Sequence, residues 1–185
     1  GAGTQPRIRR VRRLEYAAEV GCHLFCVTGA QRVLYRSTTD DEFKRLAEMA
    51  EALVDHGAPA AVTVAYHRDG GYGHRSTIES EEDEDKLLRY APRLGLCVDV
   101  AVSALKGDDP VVQLHKYRHR LACVRLRDWG RGKFCLLGKG TLGLDYARIR
   151  ETLNDIGYNG WVMCELPATA DMEGTESCPL NREYL

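Results

Sequence analysis

Residues 93–129 read RLGLCVDVAVSALKGDDPVVQLHKYRHRLACVRLRDW. Two short runs rich in Val, Leu and Cys, at 94–102 and 121–129, flank a segment that opens on Asp109-Pro110. Apolar runs of this length predict strands. An Asp followed by Pro predicts a helix start, because Pro has a helical φ and no N–H to leave unsatisfied in the first turn. Strand, helix and strand in succession form a βαβ unit, whose crossover makes the two strands parallel.

The pattern extends outward. Residues 22–29, 60–67 and 160–166 are three more strand-like runs. Helical period is clearest over 41–56, where Phe43, Leu46, Ala47, Ala50, Leu53 and Val54 share one face. Thr39 and Glu42 have capping-box spacing before it, and Gly57 follows it as a helix stop. Further helices are predicted over 81–90, ahead of Pro92, and over 145–156, ahead of Gly157. Strand starts near 22, 60, 94, 121 and 160 recur roughly every 25 to 40 residues, which predicts an α/β fold with a parallel sheet. One domain spanning 1–185 is expected. The Gly-rich segment 68–80, RDGGYGHRSTIES, reads as a ligand loop or a surface loop.

Composition excludes several function classes. The 185 residues carry 26 Lys and Arg against 27 Asp and Glu, a formal net charge of −1. That balance gives no field to draw nucleic acid or anionic lipid, although 7–13 is locally basic. No apolar run approaches the ~20 residues that span a bilayer, and the Arg-rich beginning lacks the apolar stretch of a secretory signal. No nucleic-acid partner, no membrane and a cytoplasmic location are expected. The cysteines (Cys22, Cys26, Cys97, Cys123, Cys135, Cys164, Cys178) lie mostly inside apolar runs and are expected to be buried thiols. Cys22 and Cys26 have no second Cys/His pair at zinc-ligand spacing. No G-x-S-x-G elbow is present, and Gly70-Gly71, Gly130-x-Gly132 and Gly138-Lys139-Gly140 read as turns rather than phosphate cradles.

Alternation within the strands points to a site. With a period of two, Val124 and Leu126 oppose Cys123, Arg125 and Arg127; Val98 and Val100 oppose Cys97 and Asp99; Val64 and Tyr66 oppose Ala65 and His67; Val162 and Cys164 oppose Met163 and Glu165. His67, Asp99, Arg125 and Glu165 thus share one parity, in the middle or C-terminal half of their strands. In a closed parallel barrel that parity points inward and the C-terminal strand ends form the active-site mouth, whereas buried charges paired only for their own neutralisation are the structural alternative.

Three stretches resemble the sugar phosphate isomerase/epimerase superfamily, the xylose isomerase-like TIM barrels that include inosose dehydratase and hydroxypyruvate isomerase. They are 93–129 quoted above, FCLLGKGTLGLDYARIRETLNDIGYNGWVMCEL at 134–166, and AYHRDGGYGHRSTIESEEDEDKLL at 65–88. The resemblance covers about residue 10 to the end. It implies a barrel, here of about five βα units and so incomplete, since a full one takes ~250 residues. It places the family's metal ligands at Glu79, Asp99, Arg125 and Glu165, with Arg125 standing where the family has His. Val102 replaces the family's second His, Arg127 its Lys, and Lys139 a loop Glu. Mn²⁺ or Mg²⁺ on Glu79, Asp99 and Glu165 is the cofactor the resemblance implies; a guanidinium has no lone pair for a metal, so Arg125 argues against its retention. Arg125 is instead expected to lie between Asp99 and Glu165 in an ion-pair network.

These residues lead to an enzyme that moves a proton beside a carbonyl on a small keto-sugar or polyol, by isomerisation, epimerisation or dehydration. Glu79 and Glu165 are the expected acid/base pair, Asp99 an orienting group and His67 a proton shuttle, with Arg125, Arg127 and His74 contacting substrate. A binding or partner subunit that has lost the chemistry is the alternative. Uncovered strand edges lead to the expectation of a homo-oligomer or of a missing N-terminal part.

Overall fold

The computed structural model describes residues 4–29, 31–32, 38–68, 75–76, 78–166 and 174–184. In chain order the elements are α1 (Thr4–Glu19), β1 (Leu24–Val27), β2 (Gln31–Arg32), α2 (Asp40–Gly57), β3 (Thr63–His67), β4 (Arg75–Ser76), α3 (Glu81–Tyr90) and β5 (Gly95–Asp99). There follow α4 (Val100–Leu105), α5 (Pro110–Lys116), β6 (Leu121–Leu126), β7 (Asp128–Gly130), β8 (Lys133–Cys135), α6 (Tyr146–Asp155), β9 (Trp161–Cys164) and α7 (Gly174–Tyr184). The main strands are ordered β1-β3-β5-β6-β9 in one sheet, and β1 pairs with β3 and β6 with β9 in parallel. The residues group into two compact units, 1–96 and 97–185.

In the first unit α2 is the organising helix. Phe43, Ala47, Ala50, Leu53 and Gly57 recur every three or four residues and are all buried, so one face is shed from water. The capping box forms as read: Thr39 N–H donates to Glu42 Oε2 at 2.8 Å, and Glu42 N–H donates to the Thr39 hydroxyl at 3.3 Å. Gly57 is needed because the backbone approaches closely there; a side chain would meet the Val62 carbonyl oxygen at 2.8 Å. α3 has the bounds expected and its own box, Ser80 with Asp83. β3 is buried at Val64, Ala65, Tyr66 and His67, so both of its faces are covered and no alternation survives in its burial. β2 and β4 pair antiparallel.

Several expected strands are shorter than their apolar runs. The run at 94–102 stops at Asp99, because the Asp99 carboxylate accepts the Val102 N–H at 3.1 Å and starts α4. The run at 121–129 ends at Leu126, and Asp128 begins a separate hairpin, β7–β8, turned at Arg131 and Gly132 with positive φ. The run at 60–67 begins at Thr63, after a 3₁₀ turn over Ala58–Ala60. The run at 22–29 is reduced to Leu24–Val27, and that at 160–166 to Trp161–Cys164. The apolar parity of the last run, expected to be covered by helices, is not: Val162 is 42% exposed and Cys164 is exposed as well. The thiols also depart from expectation. Cys97 and Cys123 are buried, but Cys22, Cys26, Cys164 and Cys178 are exposed.

α2 and α3 are further tied by charge. Lys86 Nζ lies 2.6 Å from Asp40 Oδ1, and the Tyr90 hydroxyl donates to Asp40 Oδ2 at 2.8 Å. These two partners lower the Asp40 carboxyl to about 2 from its ordinary 3.8. A depressed carboxyl stabilises the fold above its unfolded value, and the contribution is lost as pH falls through the folded value. Replacing Asp40 with Asn should therefore lower the melting temperature at pH 5 to 7, and the difference from the native chain should vanish as pH falls from about 4 to about 2. A series of thermal melts across that range checks it.

Candidate active site

Strand ends position the charged groups. Asp99 is the last residue of β5, Arg125 the last but one of β6, and Arg127 follows β6 directly; Glu165 follows β9, its N–H donating to the Leu126 carbonyl oxygen at 3.2 Å. In register, Arg125 lies opposite Met163. Glu165, two residues beyond Met163, comes back to the same face, so strand period alone aims it at Arg125.

Two ion pairs result, and they differ in kind. Arg127 Nη2 lies 2.5 Å from Asp99 Oδ2, with side chains 8% and 1% exposed. The other Asp99 oxygen caps α4, and the Arg127 guanidinium lies 3.9 Å from the Phe134 ring centroid. Both ions are thus held from more than one side. Arg125 pairs with Glu165, with side chains 20% and 38% exposed. Arg125 was expected between the two carboxylates. Arg127 also reaches Asp99, a pairing the sequence reading did not include.

The residues around this pairing were missed in the sequence. Asp128 is 3% exposed and accepts three backbone N–H bonds, from Trp129 at 2.8 Å and from Gly138 and Gly140 at 3.0 Å each. Gly138-Lys139-Gly140 is therefore a turn closed on an internal carboxylate, and those two amides are not open to a phosphate. The Tyr146 hydroxyl donates to the Arg127 carbonyl oxygen at 2.9 Å, and burial, then the nearby Asp128 charge, push the phenol well above its ordinary range. The signal was Asp128 beside Arg127, followed by two glycines close enough to wrap it.

The other expected site residues lie in the first unit. His67 ends β3 and is 6% exposed. Beside it Arg68 pairs with Glu84 of α3 at 3.7 Å, both nearly fully buried. Glu79 is half-buried just ahead of the α3 cap, its N–H donating to Asp83 Oδ2 at 3.0 Å. His74 lies outside the described residues, as does most of the Gly-rich loop.

A family profile described as a xylose isomerase-like TIM barrel matches residues 4–181. The chain belongs to that family. It is an incomplete TIM barrel of about five βα units. It is similar to inosose dehydratase of Lacticaseibacillus casei, 26% identical over 148 residues, covering 69% of this chain and 48% of the relative. It spans about half the length of the curated relatives it matches. Among solved structures, L-ribulose 3-epimerase is similar in fold, with a TM-score of 0.80 at 12% identity, over 96% of this chain and 65% of that one. The IOLI protein, solved with a binding zinc atom, matches with a TM-score of 0.77 at 15% identity, over 95% and 66%.

Residues 97–185 do not fit a divalent metal. Asp99 spends its two oxygens on Arg127 and the α4 cap, and Glu165 is held by Arg125. A cation there would be set beside two guanidinium charges. Among the described residues of this unit no three His, Cys, Asp or Glu side chains gather as ligands.

The Asp128 turn is tested by sterics. A methyl on Gly140 would run into the Asp128 carboxylate, so Gly140→Ala should lower stability by about 1–3 kcal/mol, read by urea unfolding.

Proposed function

We propose that this chain transforms a small keto-sugar or polyol by moving a proton on the carbon beside a carbonyl, with guanidinium charge in place of a metal ion. The observation that carries the reading is the set of two carboxylate–guanidinium pairs at the C-terminal ends of β5, β6 and β9, where barrels of this kind keep their active sites. The relatives, a dehydratase and an epimerase, support the reaction class. Glu165, the more exposed carboxylate, removes the proton; the C–H electron pair flows toward the carbonyl oxygen, and a fixed positive charge meets the enediolate that forms. Asp99 orients Arg127. His67 and Glu79 are kept as proton-transfer candidates, and His74 as a substrate contact.

Deuterium wash-in from D₂O into a panel of ketoses and inososes, followed by proton NMR, tests this. Exchange should persist in excess EDTA and fall by about 100-fold or more in Glu165→Gln. Exchange that appears only with added Mn²⁺ would restore the metal-dependent mechanism and overturn the guanidinium reading.

We also propose that the chain associates through its sheet edge. β9 is the terminal strand of the sheet, and its Trp161 is 67% exposed. Light scattering at tens of micromolar (roughly the range where exposed edges matter) should give at least twice the chain mass, 20.7 kDa. A clean monomer would overturn it.

A further inference from the structure

We propose that Cys164 and Cys178 are a redox pair, two thiols that a disulfide oxidant such as glutathione disulfide closes into one bond, tying α7 to the end of β9. The inference does not depend on the proton-transfer reading. It concerns the segment that carries Glu165.

The order of elements brings the two residues together. Cys164 is the last residue of β9, and α7 packs against that strand. Strand period puts Cys164 on the face of Val162. Val162 and Tyr184 of α7 line one cavity of about 420 Å³, so α7 stands by that face. A helix that follows a strand of a parallel sheet packs back along it, and with Tyr184 beside Val162 the earlier turns of α7 lie toward Cys164. The spacings correspond: two strand residues advance about 6.6 Å, and the helix from Cys178 to Tyr184 about 9 Å. The inner side of α7 fixes its placement. Ser177 and Asn181 are buried, Asn181 Oδ1 accepts the Leu137 N–H at 3.0 Å, and the Tyr184 ring meets Tyr146 edge-on at 5.5 Å. Cys178 directly follows Ser177 and so lies on the flank of that buried stripe. The sulfurs also feel each other, for burial first, and then Cys178, raises the Cys164 thiol above its ordinary value. A neighbouring thiolate has that effect only at short range. The face concerned is the one turned to the helix layer, not the open edge of the sheet, and both residues come from elements of this chain.

Bond formation is an exchange in two steps. The Cys178 thiolate attacks one sulfur of glutathione disulfide, whose S–S bond breaks with the electron pair leaving on the other glutathione as thiolate. The Cys164 thiolate then attacks the Cys178 sulfur of this mixed disulfide, which forms the Cys164–Cys178 bond and expels the second glutathione. Two protein thiols are oxidised and one glutathione disulfide is reduced to two thiols, which take up the two protons that the cysteines lose. Cys164 acts second because its proton is held more tightly than an ordinary thiol's. The bond closes the loop 164–178. A closed loop restricts the unfolded chain more than the folded one, so the oxidised protein is the more stable form. Glu165 is the next residue after Cys164, and the bond would tie the backbone beside it to α7.

Peptide mapping of the whole chain tests this. Cleavage after Arg150 and Arg182 releases the peptide 151–182, which holds Cys164 and Cys178 and none of the other cysteines. After incubation with glutathione disulfide and alkylation of the remaining thiols, that peptide should be lighter by two hydrogen atoms and unalkylated. Further cleavage after Glu165 and Glu173 should leave two pieces joined until a reductant is added. The oxidised chain should melt about 5 °C or more above the reduced one, and dithiothreitol should reverse the gain. Cys164→Ser and Cys178→Ser should each abolish both the bond and the gain; should either variant fail to fold by circular dichroism, mapping of the native chain decides alone. The inference is overturned if both thiols of 151–182 are alkylated, if each carries a glutathione, or if either is joined to one of the other cysteines or to a second chain. A closed bond with no rise in melting temperature overturns it as well, since α7 would then not be held to β9 in the folded protein.

Discussion

Asp99 is a carboxylate 1% exposed at the end of a wholly buried strand, and a charge so placed has to be neutralised where it stands. Arg127 does so, and much of the second unit follows from its being held. With its guanidinium on Asp99 and against Phe134, the chain must turn out of β6 after Leu126 and return as β8 to bring Phe134 over it. Trp129, opposite Phe134 in that hairpin, meets its ring edge-on with centroids 5.0 Å apart. Asp128 is then buried next to Arg127, and its lone pairs collect the amides of Gly138 and Gly140. Tyr146 closes the circuit by donating to the Arg127 carbonyl oxygen, which seats the first turn of α6.

That arrangement changes what the site can do. A divalent ion offers several coordination positions and can grip two substrate oxygens at once. A guanidinium offers directed N–H donors in one plane, a single charge and no proton to give up, so proton movement is left to the carboxylates. Two such groups two residues apart in sequence, each matched to a carboxylate on a neighbouring strand, keep the cluster neutral, and the unit tolerates four ionisable groups in a small volume without an ion.

Much of the fold was legible because its signals are local. Thr39 with Glu42, Asp109 with Pro110, and Asp145 each announce a helix through bonds made within three residues, and the helices stand where those residues put them. The strands were placed but read too long. Nothing in the run 94–102 distinguishes Asp99 as a cap until its side chain turns back on Val102, and nothing in 121–129 shows that Asp128 belongs to a hairpin until Phe134 is seen on Arg127. α1 and α7 were not read: the first carries four arginines in residues 9–13 and buries Leu14, and the second contains Pro179 in its interior. Of the site, alternation brought Arg125 and Glu165 to one face, since parity survives any uncertainty in strand ends. It did not bring Arg127 to Asp99, because that pairing depends on side-chain reach past the end of β6 and not on parity.

The two ion pairs of the second unit differ in how deeply they are set. Asp99 sits on β5, where every residue is buried, so it can move only if the core around it opens. Glu165 follows β9, whose Trp161 and Val162 are 67% and 42% exposed and whose outer edge ends the sheet. The deeper carboxylate ends a wholly buried strand and also caps a helix, whereas the shallower one follows a strand whose side chains are largely exposed. Removing Asp99 would leave Arg127 buried and unmatched, and removing Glu165 would leave Arg125 nearer to solvent, so the first loss is the costlier.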